Sequence, residues 1–220
     1  MHRALLLAVL SLSVLLSPLV ASQDASYTFT TIDVPGATFT VADGINDAGQ
    51  IVGSYNIAGS DHGYLRAANG SLITIDVPPG NNGTEALGIN NAGQIVGSYF
   101  STGTTVSGFV RATNGSFATI DVPGATFGTV AFGINNAGQI VGEYGASGAN
   151  HGFLRDTNGN FTTIDVPGAV NITYAVGIDD AGQIVGFYQT ASGFHGFLRD
   201  TNGNLVTIDV PPGNNGTEAL

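Results

Sequence analysis

The chain has 220 residues, is 43% hydrophobic and carries five basic against sixteen acidic residues, a formal charge of −11 at pH 7. A field of that sign repels nucleic acid and anionic membrane, and the absence of lysine removes Schiff-base chemistry and the phosphate-cradling P-loop. No cysteine is present, which excludes a disulfide framework and a lipidated cysteine anchor; with 10% charged residues and an ordinary apolar fraction, the composition is that of a chain that folds.

In chain order, the first element is a targeting segment. Met1-His2-Arg3 supplies a positive start, Ala4 to Val20 is almost wholly apolar, and Val20-Ala21-Ser22 offers a small-residue cleavage site. Together they predict a secretory signal peptide over 1–22 and a mature domain over 23–220. Ser17-Pro18 interrupts the apolar run and favours cleavage over anchoring; no later stretch is long or apolar enough to span a bilayer.

The mature chain is a tandem repeat. Thr-Ile-Asp-Val-Pro begins at Thr31, Thr74, Thr119, Thr163 and Thr207, at spacings of 43, 45, 44 and 44 residues. On the same beat, Gly44–Gly53 reads GINDAGQIVG, Gly88–Gly97 and Gly133–Gly142 read GINNAGQIVG, and Gly177–Gly186 reads GIDDAGQIVG. One such unit cannot bury its apolar face alone, so neighbours must stack.

Each unit divides into four short runs, a to d, rich in β-branched and aromatic residues with Gly, Asn and Pro between them. In the third unit these are Val130–Ile134, Gln139–Tyr144, His151–Arg155 and Asn160–Val166. No glycine-free window holds a 3.6-residue apolar period, which leaves helix no foothold. Between a and b, Asn135-Asn136-Ala137-Gly138 suits a type I turn with a left-handed Gly bulge.

Between c and d, Asn158-Gly159 predicts a two-residue hairpin loop. That loop sets Asp165 opposite Gly152 and Phe153 opposite Ile164. In the other copies it sets Asp76 opposite Gly63, Asp121 opposite Gly108 and Asp209 opposite Gly196, with one aromatic face as the core.

Four-stranded antiparallel units of this length predict an all-β fold, a β-propeller of four full blades, with an open β-solenoid as the alternative. The units fall near 41–77, 84–122, 129–166 and 173–210. A lone d run, Tyr27 to Val34, precedes them and a lone start of a, Thr217 to Leu220, follows, the two placed to share a reduced fifth blade. Thr74–Leu87 and Thr207–Leu220 are identical, which reads equally as a fragment of a longer array.

The GINxAGQIVG blocks, with His62-Gly63-Tyr64, Ser107-Gly108-Phe109, His151-Gly152-Phe153 and His195-Gly196-Phe197, resemble the HAF repeats of bacterial extracellular proteins. Gly stands where that family's tripeptide has Ala, and the second copy lacks His. The resemblance covers essentially the whole mature chain. It implies export and repetition, and it carries no established reaction and no catalytic residues.

Candidate site residues are nearly all copied. Asp33, Asp76, Asp121, Asp165 and Asp209 are candidate calcium ligands if they line one end of a propeller; the plainer reading has each accepting backbone hydrogen bonds in its Val-Pro turn. Asp156 to Asn160 resembles the start of a calcium loop, with its Gly misplaced for an EF-hand. His62, His151 and His195 on separate blades are too far apart to share a metal ion, which makes each a ring-bonded residue at the edge of the core. Glu143 replaces Ser54 and Ser98 of earlier copies and gives way to Phe187, a tolerance that points to an exposed position.

Strand b ends in Tyr55, Tyr99, Tyr144 and Tyr188, candidate ligand-binding residues beside the variable b–c loops NIAGSD, FSTGTTV, GASGAN and QTASGF. The expected function is a secreted, non-enzymatic repeat scaffold adhering to glycan or protein at the bacterial surface, in the medium or in the periplasm. The alternatives are an extracellular carbohydrate hydrolase with carboxylates at the propeller mouth and a calcium-stabilised structural repeat. No nucleic-acid partner and no catalytic residue are expected.

Overall fold

The β-branched runs pair as the repeat demands. The structure, a computed structural model, describes residues 27–78, 83–102 and 105–209. The strands lie in one unit, Ile32–Leu220, as four antiparallel sheets in simple up-and-down order. The first holds β1 (Phe39–Ile45), β2 (Ile51–Ile57), β3 (Ser60–Arg66) and β4 (Leu72–Ile75). The second holds β5 (Thr84–Ile89), β6 (Ile95–Thr102), β7 (Thr105–Arg111) and β8 (Phe117–Ile120). The third holds β9 (Gly128–Ile134), β10 (Ile140–Ala146), β11 (Ala149–Arg155) and β12 (Phe161–Ile164). The fourth holds β13 (Thr173–Ile178), β14 (Ile184–Thr190), β15 (Gly193–Arg199) and β16 (Leu205–Ile208).

Consecutive sheets touch through their first strands, β1 on β5, β5 on β9 and β9 on β13, which therefore line the axis. The second and third sheets are each sandwiched between neighbours, so both of their faces are apolar. Val52, Leu65, Ile75 and Val77 of the first sheet meet Ala86, Ile89, Ile95, Tyr99 and Phe109 of the second. The same layer recurs as Val96, Ile120 and Val122 against Ala131, Ile134, Ile140 and Phe153. It recurs again as Val141, Ile164 and Val166 against Ala175, Ile184, Tyr188 and Phe197. Each fully buried side chain contributes about 1.5–3 kcal/mol before entropy is set against it.

Among the described residues, the outer faces of the first and last sheets lack this cover. Ile45 is 68% exposed where Ile89 and Ile134 are 8% and 9%, and Ala42 is exposed where Ala86, Ala131 and Ala175 are fully buried. At the other end Ile208 is 38% exposed where its three counterparts are 1–2%.

Two expectations about the turns are corrected. Asp156 and Asn160 close the c–d turn, with Gly159 N–H donating to Asp156 O and Gly159 alone of the turn residues at positive φ. This is the geometry of the a–b turn, where Gly138 N–H donates to Asn135 O with Gly138 at φ 84°. A two-residue loop of that type needs positive φ at both central residues, which Asn158 does not adopt. Asp156 Oδ1 braces this turn by accepting the amides of Asn158 and Asn160, as Asp200 does in the fourth copy, but the first two copies close the same turn on Ala67 and Ala112. The paired-φ turns lie instead between b and c, at Ala58-Gly59 and Ser147-Gly148.

The register consequently slips by one. Gly152 pairs with Ile164 and Phe153 with Thr163, and the same holds at Gly63–Ile75, Gly108–Ile120 and Gly196–Ile208. A one-residue slip flips the strand. The aromatic and the isoleucine therefore lie on opposite faces, one packed on the preceding sheet and the other on the following one, and Asp165 comes to face His151.

The predicted d run Tyr27–Val34 forms no strand. In every blade the d strand pairs with the c strand before it. The segment Thr217–Leu220 lies outside the described residues.

Candidate functional site

Tight hairpins and first-strand bulges create two cavities. At one end the a–b turns converge. Asn46 Oδ1 accepts the amides of Ala48 and Gln50, and its Nδ2 donates to Gln50 Oε1 and to Asn90 O of the next blade. Asn90 does the same to Asn135 O, and Asn135 to Asp179 O. The shallow cavity of about 270 Å³ at this end is lined by the same three positions of every copy, Ile followed by two Asn or Asp. It is the framework of the repeat.

The other end differs. Where the first strands begin and the second strands finish, a cavity of about 260 Å³ is lined by Asp61, Glu85, Leu87, Ser98, Phe100, Val106, Val130, Phe132 and Glu143, with Gly83 and Tyr99. Leu87 and Phe132 are the extra residues of bulges in β5 and β9, a device that re-aims a side chain. The registers place Val41, Glu85, Val130 and Tyr174 at one equivalent position, and Ser54, Ser98, Glu143 and Phe187 opposite them. The bulge residues are Asp43, Leu87, Phe132 and Val176. Asp61, Val106, Asn150 and Phe194 share a fourth position. Each of these positions differs between copies, and together they supply most of the wall.

Glu143 is the best-organised group of this wall. Asn150 Nδ2 donates to Glu143 Oε2 and to Tyr174 Oη, both at 2.7 Å, and Tyr174 also bonds the carboxylate. Burial pushes the Glu143 carboxyl above its ordinary range, and the bonds from Tyr174 and Asn150 hold back part of the rise. Burial also raises the Tyr174 phenol, and the charge of Glu143 adds to it. Asp43 is raised by burial and then by the charge of Glu85. Aromatic rings continue from the pocket along Phe132, Tyr174, Phe187 and Phe194, with centroids 6.1, 4.9 and 5.9 Å apart in turn. Glu143 is thus a half-buried wall residue, where the sequence reading placed it in solvent. Comparing the copies strand position by strand position would have located this pocket.

The residues singled out from the sequence sit elsewhere. Tyr55, Tyr99 and Tyr188 are buried and Tyr144 half-buried. Their hydroxyls bond Thr74, Thr119, Thr207 and Thr163 respectively at 2.9–3.1 Å. They are interior residues with the polar tip used, and only Tyr99 touches the pocket. The b–c segments beside them are mostly strand ends with two-residue turns.

His62, His151 and His195 hold Asp76, Asp165 and Asp209 through Nδ1 at 2.9, 2.8 and 3.0 Å. These three aspartates therefore pair with a ring, where backbone amides of the Val-Pro turn were expected. The Val77, Val122 and Val166 amides donate instead to the hydroxyls of Thr84, Thr129 and Thr173. Asp33 and Asp121 are exposed. Among the described residues no three His, Asp or Glu side chains are placed to hold a metal ion.

Four-stranded antiparallel sheets set in tandem around their first strands are a β-propeller architecture. Solved structures agree. TolB from Acinetobacter baumannii superposes with TM-score 0.58 at 14% identity, over 76% of this chain and 43% of that one. A catalytically inactive virginiamycin B lyase from Staphylococcus aureus, solved with quinupristin, gives 0.54 at 13%, over 89% and 64%. A streptogramin B lyase gives 0.52 at 16%, over 80% and 55%. The chain thus spans 43–64% of the length of these propellers, and at such identity the likeness is one of fold. No protein-family model and no curated protein matches the sequence. No helix among the described residues is long and apolar enough to cross a membrane.

Proposed function

We propose that this chain is an exported propeller of the HAF-repeat kind whose work is binding, with the ligand seated in the cavity bordered by Glu85, Phe132 and Glu143. One observation carries the reading: most of the cavity wall comes from positions at which the four copies disagree, while the identical positions build turns and inter-sheet layers. Repetition explains a residue present in every blade; it does not explain a pocket assembled from Glu85, Leu87, Phe100, Phe132 and Glu143. The apolar run Ala4–Val20 supports export, and a glycan or protein at the cell surface remains the expected setting of the ligand.

The test is ligand-dependent protection of the full chain from thermal unfolding, screened over small extracellular compounds. A hit must be lost in Phe132→Ala and kept in Tyr55→Phe. A hit that responds to Tyr55 and ignores Phe132 overturns the assignment of the site.

A second reading has one specific support. Glu85 and Glu143 share the cavity, and burial keeps Glu143 protonated to higher pH, as the general acid of a glycosidase requires. Hydrolysis that disappears in both Glu85→Gln and Glu143→Gln, with unchanged melts, would establish an enzyme.

A further inference from the structure

The chemistry of this cavity selects its ligand class. We propose that it binds an alkylammonium cation, a positively charged nitrogen carried on an apolar body; the inference rests on the cavity being the binding site.

Three carboxylate side chains border the space, Asp61, Glu85 and Glu143, and no Lys, Arg or His does. The rest of its border is largely apolar and aromatic, with Phe100 and Phe132 contributed by different blades. An aromatic face attracts a cation through its quadrupole, the more so when water is displaced, and a nearby carboxylate supplies the countercharge. An anion meets three carboxyl groups with no basic side chain to offset them, and a neutral sugar finds few hydrogen-bond donors on the wall. At about 260 Å³ the cavity is just below the usual range for small-molecule sites, which suits a compact head group and not a chain of sugars.

The carboxylates divide the task. Glu143 is held in place by Asn150 and Tyr174. Glu85, one blade away, is exposed and stands at the mouth. A cation between them also favours the ionised form of Glu143, so binding tightens as pH rises through the Glu143 titration. Asp61, Glu85 and the Tyr174 phenol are the other titrating groups around it.

Calorimetry on the full chain with choline and its uncharged isostere 3,3-dimethylbutan-1-ol tests the inference, because the two share a shape and differ in charge. Choline is expected to bind at least about tenfold more tightly, the equivalent of about 1.4 kcal/mol. Glu85→Gln should erase that difference while leaving the weak binding of the alcohol, and Phe132→Leu should reduce choline binding with the apolar volume kept. Equal affinity for both probes overturns the cation inference and leaves the pocket standing. Absence of binding by either, with a native melt, removes the pocket reading as well. An Nα-acetyl-lysine amide arm shows whether the ammonium is accepted from a protein side chain or only as a free amine.

Discussion

Phe153 pairs with Gly142 across β10 and β11, and its ring fills the space where a side chain at Gly142 would stand. A methyl group there would overlap the Val130 carbonyl oxygen and lie 2.7 Å from Phe153 Cε1. The aromatic of the HGF tripeptide and the closing glycine of GQIVG are thus two halves of one contact, repeated at Tyr64–Gly53, Phe109–Gly97 and Phe197–Gly186. Gly142→Ala should cost at least about 3 kcal/mol, since neither a backbone carbonyl nor a fully buried ring has room to retreat. Gly148→Ala is the control, with open space around it but φ of 82°, and should cost about 1 kcal/mol. Urea denaturation of the two variants checks the contrast.

Tyr64 is the one copy of that aromatic that is not Phe, and its hydroxyl is buried with no hydrogen-bond partner. Phe109, Phe153 and Phe197 show that the site accepts a bare ring. Tyr64→Phe should therefore raise stability by about 1–2 kcal/mol, the cost of leaving such a group unsatisfied. An unchanged or lowered unfolding midpoint would mean that the hydroxyl is served after all.

The pH dependence of Glu143→Gln follows from the direction of its shift. The folded value lies above the ordinary one near 4.5, so the native state keeps a proton that the unfolded chain has released. Stability from this group is fully present in acid and is lost as pH rises through the folded value. The glutamine of the variant has no such proton to lose. The melting temperature of the variant relative to the parent should therefore climb as pH rises above the ordinary value and level off once the folded carboxyl has ionised; a difference that is flat with pH contradicts the assignment.

Equivalent alanines should behave differently according to the sheet they face. Ala131 is fully buried between the second and third sheets, and Ala131→Arg should abolish cooperative unfolding because it inserts both bulk and an unpaired charge. Ala42 occupies the same position in β1 and is exposed, so Ala42→Arg should stay within about 0.5 kcal/mol of the parent. Circular dichroism melts distinguish the pair.

The His151–Asp165 pair is partly exposed, and the second copy does without the histidine, having Ser107 there. A double-mutant cycle on His151 and Asp165 should return a coupling below about 1 kcal/mol. With Asp76, Asp165 and Asp209 each engaged within their own blade, calcium and chelator should give superimposable melts. A rise with calcium would restore the aspartates as ligands.

Much of the architecture was legible in the sequence because it is written four times. Strand number, the a–b turn of Asn135 to Gly138 and the stacking of units all follow from residues present in every copy. The c–d register was not, because Asn-Gly suits two turns equally and all four copies take the one in which Gly alone has positive φ, whether it opens on Ala67, Ala112, Asp156 or Asp200. That single choice turned Asp165 from a partner of Gly152 into a partner of His151. The pocket escaped for a related reason. Variation was sought in the loops after Tyr55 and Tyr144, whereas the informative differences, Glu85 against Val130 and Glu143 against Phe187, lie inside strands whose outlines are constant.

The asparagine string at the a–b turns makes the blades non-interchangeable despite their near-identity. Asn46, Asn90 and Asn135 each hand an amide hydrogen to the carbonyl of the successor, whereas the fourth member of the string is Asp179, which has none to give. Placed ahead of any other blade, its carboxylate would confront that carbonyl oxygen to oxygen. Near-copies on one chain invite docking out of turn, and one nitrogen exchanged for oxygen sets a repulsion against every order in which one of the other three blades follows the fourth.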